Sequence, residues 1–188
     1  TNVAWDFVEL PSQIMENWIL ESESLALLSA HVDTGAPLPA DLVAKVRDSA
    51  RFMAGWNASR QLSLGLLDMA WHTLTALPDT PVEEFELAAV RHMRLLDPVP
   101  GMSTSTSFLH IFSGGYSAGY YSYKWAEVLE ADAFGRFQEE GIFNPATARS
   151  FRDNILSKGD TEDPMELFIR FRGRPPSLDA LLRRDGLV

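Results

Sequence analysis

Apolar positions recur with helical period along most of the chain. Residues 5–31, beginning WDFVELPSQIMENW, carry a long apolar pattern that runs on through Trp18, Leu25 and Leu28. Pro11 inside it predicts a kink or local opening, because proline cannot donate to the carbonyl of Phe7. Asp6, Glu9, Gln13 and Glu16 fall three, four and three residues apart, so a helix would align them as one polar stripe. TGAPLP at 34–39 reads as a loop. Residues 40–74 read as one long helix or two stacked ones, with Leu42, Val46, Met53, Leu64, Leu67 and Trp71 on the apolar face. LPDTP at 77–81 breaks the pattern. A helix resumes over 82–96, with acidic residues early and basic residues late, as the macrodipole favours.

The remaining stretches extend the same reading. DPVPGMSTSTS at 97–107 is a loop, and the region 97–113 has room for a short β-hairpin. Residues 110–141 form a glycine-rich entry into a strongly apolar helix. Asn144 is a good N-cap with Pro145 at the first helical position, and that helix stops near Lys158-Gly159. Residues 160–173 begin with acidic caps and form a short helix, Pro175-Pro176 ends it, and 177–186 make a last helical turn or two. There is no internal repeat, no useful heptad run and no alternation that demands a sheet. The predicted class is all-α.

Composition narrows the function. A chain of 188 residues suits one domain or a large piece of one, and 46% hydrophobic content supplies a real core. The net charge of −10, with no early or central basic cluster, disfavours nucleic acid as a partner. The absence of cysteine excludes disulfides, Cys-ligated zinc and a cysteine nucleophile. No run approaches a membrane span, and the start lacks the zones of a signal peptide. The acidic balance fits a cytoplasmic protein with no membrane partner. The chain starts TNVAWDF, without Met, and enters an apolar pattern at once. That reads as a cut into a larger protein, although a processed terminus gives the same appearance.

Two constellations carry candidate chemistry. The opening stripe reads either as a solvent-facing helix edge or as carboxylates partly buried among Trp5, Phe7, Val8, Leu10, Ile14, Met15 and Trp18. A buried carboxylate needs a partner, and a metal ion is one, since glutamate oxygen is an ordinary zinc ligand. The second constellation is HIFSGGYSAGYYSYKW. All four tyrosines of the chain, Tyr116, Tyr120, Tyr121 and Tyr123, lie within eight residues, among Gly114, Gly115 and Gly119. On a helix Tyr116, Tyr120 and Tyr123 would share a face. Phenolic hydroxyls on a glycine-hinged loop can donate to a substrate carbonyl and its developing oxyanion, as His110 can. An aromatic core segment is the alternative, with the drawback of four hydroxyls that need partners. His31, His72 and His92 are isolated and read as structural or exposed. There is no GxSxG, GDTEDP lacks the glycine and distal glutamate of an EF-hand, and FIRFRGRPP is a basic patch too short for nucleic acid.

The segments WDFVELPSQIMENW and HIFSGGYSAGYYSYKWAEVLEADAF, in this order and spacing, resemble the C-terminal part of the M3 family of zinc oligopeptidases. This is the thimet oligopeptidase and neurolysin group, which includes the peptidyl-dipeptidases. GIFNPATARSFRDNILSKGDTEDPMELFIRFRGRPPSLDALL resembles the same family, so the likeness spans nearly the whole chain and is strongest toward the oligopeptidase A branch. The resemblance implies that residues 1–188 are a multi-helix C-terminal portion of a zincin-like, neurolysin-type peptidase domain. It implies one zinc ion, held in the family by two histidines of an HExxH helix and by a glutamate that Glu9 matches. It implies substrate binding and oxyanion stabilisation by His110, Tyr116 and Tyr123, with Tyr120 as a neighbour and Glu16 near the cleft. The stripe itself, apart from the resemblance, makes Asp6 a candidate to orient a ligand.

The pattern departs from the family in one respect. None of His31, His72, His92 and His110 is followed by Glu, and no two histidines lie four apart, so no HExxH occurs. The family places that motif roughly two dozen residues before the DFVE segment. The expectation is therefore a fragment that is inactive alone, without tight zinc, whose partners are short unfolded peptides and the missing N-terminal part of the same polypeptide. The whole enzyme would hydrolyse short oligopeptides with metal-activated water. A peptidyl-dipeptidase of the same family and a non-enzymatic helical interaction module are the alternatives.

Overall fold

A computed structural model describes residues 2–188. All elements assigned among them are helices: α1 (Leu10–Glu16), α2 (Ser22–Leu28), α3 (Ala40–Ala50), α4 (Ala54–His72), α5 (Val82–Val90), α6 (Leu109–Phe112), α7 (Ser122–Glu140), α8 (Pro145–Phe151), α9 (Pro164–Arg172) and α10 (Asp179–Arg184). One unit combines the chain up to Ala54 with Trp125–Val188, and the other is Gly55–Lys124. No helix among the described residues is long and apolar enough to cross a membrane.

In the first unit the helical pattern expected over 5–31, opened or kinked at Pro11, is instead three short pieces: α1, a 3-10 turn at Asn17–Leu20, and α2. Pro11 does not kink a helix; it sits in the first turn of α1, where its missing N–H costs nothing. Leu10 and Ile14 of α1 pack with Phe7 against Leu129, Ala133, Phe134 and Phe137 of α7 and Leu167, Phe168 and Phe171 of α9. Trp18 meets Phe134 and Phe137 edge-on at 4.8 and 5.0 Å, and its indole N–H donates to the Ile142 carbonyl. The caps of the later helices form as the sequence predicts. Asn144 accepts from the Ala146 amide ahead of Pro145, and Asp163 accepts from the amides of Met165 and Glu166. Gly173 closes α9 at φ 86°, a left-handed conformation that suits glycine.

α7 is covered on more than one side. Val128 and Ala131 pack against Leu181 of α10, on a different strip from the residues that face α9. That wrapping removes Glu130 and Asp132 from water, each only 1% exposed. Burial pushes the Glu130 carboxyl above its usual range, and the Arg184 guanidinium and the Asn17 amide that donate to it pull it back. At Asp132 burial acts in the same direction but loses. Donors from Arg174, the Ser177 amide and Arg172 hold that carboxyl below its usual range. The arginines of FIRFRGRPP are therefore not a free basic patch: Arg170 pairs with Glu162, and Arg172 and Arg174 pair with Asp132.

The apolar face expected over 40–74 does not continue through its first half. The chain breaks between α3 and α4 at Met53, which has φ 57°. Leu42, Val46 and Met53 are 41%, 43% and 50% exposed, and the buried residue of α3 is Val43.

The second unit gathers Leu64 and Leu67 of α4, Val90 of α5, Phe108, and Ile111 of α6 into one cluster, flanked by Trp71. α5 ends at Val90 and continues only as a 3-10 turn at Arg91–Met93, shorter than the expected 82–96 helix. No hairpin forms over 97–113. Residues 103–105 instead close on the buried Glu86, which accepts from the amides of Thr104 (3.0 Å) and Ser105 (2.8 Å) and from the hydroxyls of Ser103 and Ser105. Trp71 donates to the Ser105 hydroxyl at 2.9 Å. Burial works to raise the Glu86 pKa, but these four hydrogen bonds outweigh it and leave the carboxyl below its usual range.

Two outcomes are expected. Phe168→Ala empties a side chain with no exposed surface and should destabilise the first unit by about 3–5 kcal/mol, read as a shift of the urea midpoint. Glu86 has a lower pKa folded than unfolded, so its contribution is fully present above the unfolded value of 4.5 and is lost as pH falls through the folded value. Denaturation midpoints at stepped pH should show Glu86→Gln clearly less stable than the parent at pH 7. The gap should narrow below pH 4.5. A gap independent of pH would contradict the role given to the ionised carboxylate.

Candidate substrate-binding loop and metal ligand

The predicted loop residues are brought together in the second unit by a tight reversal after α6. The amides of Ser113 and Gly114 both donate to the Leu109 carbonyl, at 2.8 and 2.7 Å. A Cβ on Gly114 would stand 2.8 Å from the His110 Cα and 2.9 Å from its carbonyl oxygen, so no side chain fits at this turn. The Tyr116 amide then donates to the His110 carbonyl at 3.0 Å, which returns Tyr116 to the side of His110.

The rings form one cluster. Tyr116 stacks on Tyr123 at 4.9 Å, and Tyr120 meets Tyr123 edge-on at 5.1 Å. The His110 ring lies 6.0 Å from Tyr116, 5.8 Å from Tyr120 and 6.4 Å from Tyr123. This is not the helical face that spacing predicts, because Tyr116 and Tyr120 both precede α7. The loop fold does the gathering. Tyr121 is exposed. Tyr120 is half-buried against Phe108. Burial pushes its hydroxyl above the usual tyrosine range, and a hydrogen bond with Gln61 opposes that only in part. A tyrosine is in any case protonated at neutral pH, so this phenol can donate.

The loop rests on α4. Asp68 is fully buried, and its two carboxylate oxygens accept the amides of Ala118 (2.9 Å) and Tyr120 (2.8 Å). His72 Nδ1 stands 2.7 Å from Asp68 Oδ1, so His72 is not the isolated histidine that the sequence reading makes it. Ala118 has φ 54°, a left-handed conformation that costs a non-glycine residue roughly 1–2 kcal/mol. Sequence reasoning missed this support. The signal was present: Gln61, Gly65, Asp68 and His72 are spaced four, three and four, one face of a helix.

The other predicted residues belong to the first unit. Glu9 is the residue just before α1, half-buried, and the Ser12 hydroxyl lies 3.1 Å from its Oε2 and 3.0 Å from its carbonyl oxygen as donor. Asp6 is half-buried in the turns that precede α1, and Glu16 is exposed at its end. The four stripe residues thus do not share one helix. Among the described residues no group of three or more His, Cys, Asp or Glu side chains is placed to hold a metal ion. One carboxylate with a neighbouring hydroxyl, as at Glu9 and Ser12, is short of the three or four protein ligands that zinc takes.

The profile of Peptidase family M3 matches residues 1–187. Oligopeptidase A of Escherichia coli (strain K12) is 50% identical over 189 residues, covering 100% of this chain. Oligopeptidase A of Haemophilus influenzae is 49% identical over 187 residues, covering 99%. Dipeptidyl carboxypeptidase of Escherichia coli (strain K12) is 39% identical over 191 residues, covering 100%. The chain spans 28% of the length of each of these relatives. With a match over nearly its whole length, this chain belongs to peptidase family M3.

Proposed function

We propose that this chain is the C-terminal part of a zinc metallo-oligopeptidase that hydrolyses short, unfolded oligopeptides in the cytoplasm. The observation that carries the reading is the cluster of His110, Tyr116, Tyr120 and Tyr123 on a glycine-bounded loop, in a chain half identical to oligopeptidase A. One zinc ion would supply an activated water and a Lewis acid at the scissile carbonyl. Glu9 would hold that ion through its carboxylate, with Ser12 fixing Oε2 and Asp6 helping to orient the ligand. The remaining ligands and the general base would come from an HExxH helix that precedes these residues in the longer polypeptide.

The loop residues supply donors. Tyr123 and Tyr116 stack with their rings nearly parallel, 21° apart, so both phenols belong to one patch, and His110 borders it. Hydroxyls held in place donate to the oxyanion as it develops without reorganising first. Tyr120 adds a phenolic donor for the peptide, and Glu16 is a candidate cleft residue.

A second reading has a specific observation behind it, the 39% identity to a dipeptidyl carboxypeptidase. A peptide blocked at its C-terminus separates the two: an endopeptidase cleaves it, and an enzyme that removes C-terminal dipeptides does not.

In the polypeptide that includes its upstream coding sequence, Tyr123→Phe should lower kcat by about a hundredfold or more, the usual loss for one oxyanion donor, with a smaller change in KM. The 188-residue chain alone should bind no stoichiometric zinc and show no turnover of a quenched-fluorescent peptide. Full zinc and turnover in the isolated chain would refute the divided ligand set. Unchanged kcat in both Tyr116→Phe and Tyr123→Phe would refute the oxyanion role.

A further inference from the structure

We propose that Asp68 is a positioning residue for catalysis: from the floor of the second unit it holds the glycine–tyrosine loop in the conformation that presents His110, Tyr116, Tyr120 and Tyr123. This rests on the reading of that cluster as the peptide- and oxyanion-binding device.

Three observations converge on the carboxylate. The first is its complete burial, 0% exposed, on the polar face of α4. A carboxylate there must be met by donors. The second is the identity of those donors. Two are backbone amides of the loop itself, Ala118 and Tyr120, one on each oxygen, and the third is His72 Nδ1 on Oδ1. The third observation lies at one of the anchor points. Ala118 holds a left-handed conformation that an alanine avoids, so the loop is not in its locally preferred state and something must hold it there. A carboxylate that accepts the strained residue's own amide does that.

The neighbours on the same helix face serve the same end. Gly65 is buried, and a Cβ there would already lie 3.7 Å from the Tyr121 Cα, so a larger side chain would lift the loop from its seat. Gln61 hydrogen-bonds the Tyr120 side chain. The loop is thus held at Ala118 and Tyr120 and seated at Tyr121, and Tyr123 follows in the first turn of α7. Asparagine cannot substitute for Asp68. Its amide group would set two hydrogens against an amide N–H or against His72, since all three partners are donors.

The test compares Asp68→Asn with Tyr123→Phe in the polypeptide that includes the upstream coding sequence. Hydrogen exchange at the Ala118 and Tyr120 amides reads the loop, and kcat and KM read the chemistry. Asp68→Asn should speed exchange at those two amides by about tenfold or more, the loss of one charge-assisted hydrogen bond. It should also lower kcat by about tenfold or more while KM changes less, with amides of α5 still protected. Unchanged exchange at Ala118 and Tyr120 overturns the proposal whatever happens to turnover. Faster exchange with unchanged kcat, while Tyr123→Phe has lost kcat, overturns it too. If Tyr116→Phe and Tyr123→Phe both keep full turnover, the oxyanion reading has failed on its own. Exchange then still decides whether Asp68 holds the loop. Should Asp68→Asn not fold, Gly65→Val strikes the same seat with every hydrogen-bonding group intact. It must show the same paired loss of protection and kcat, or the proposal falls.

Discussion

A carboxylate that leaves water must be met by donors, and four such groups organise this protein. Asp68, Glu86, Glu130 and Asp132 are all buried and all sit on helices. Each draws donors from segments outside its own helix: Asp68 from the tyrosine loop, beside His72 of its own helix, Glu86 from residues 103–105, Glu130 from Asn17 and Arg184, and Asp132 from residues 172–177. Apolar packing brings the helices together, but it is indifferent to the path of a loop. A buried acceptor is not, because every donor that fails to arrive leaves a cost of about 1–3 kcal/mol. The acids therefore turn loops that could take many paths into loops with one.

In the second unit this logic brackets the candidate site. Glu86 ties the chain just before α6, and Asp68 ties it just after the glycine reversal. Between these anchors lie His110, Gly114, Gly115 and Tyr116, where the amides of Ser113, Gly114 and Tyr116 return to the carbonyls of Leu109 and His110 and the Ser117 hydroxyl donates to the Ile111 carbonyl. Fixed ends with a self-contained middle suit the proposed role of this segment, to hold several hydroxyls in register beside a peptide.

Some of this was legible in the sequence. The all-helical class follows from periodicity, and the caps at Asn144 and Asp163 follow from local chemistry that needs no tertiary partner. The clustering of His110 with the tyrosines was visible because all four tyrosines crowd into eight residues. Their geometry was not, since it comes from a turn forced by Gly114 and not from a helix. Pro11 misled because a proline within an apolar run can either kink a helix or start one, and only the turn before it decides. Leu42 and Val46 have the right period for a buried face, but periodicity does not say how much of a face finds a partner. Asp68 was overlooked because one acidic residue beside leucines reads as solvated edge; its meaning lies fifty residues away in Ala118 and Tyr120.

The pairing of α7 with the segment that follows α9 sets an order on synthesis. Glu130 and Asp132 emerge from the ribosome some forty to fifty residues ahead of Arg172, Arg174 and Arg184, the cations that neutralise them. Until those arginines appear, closing the core around α7 would strand two negative charges in an apolar interior. The burial of α7 seen here therefore requires residues 172–184 to be in place: the acids that fix the fold also set the earliest point in synthesis at which this core can close with its charges paired.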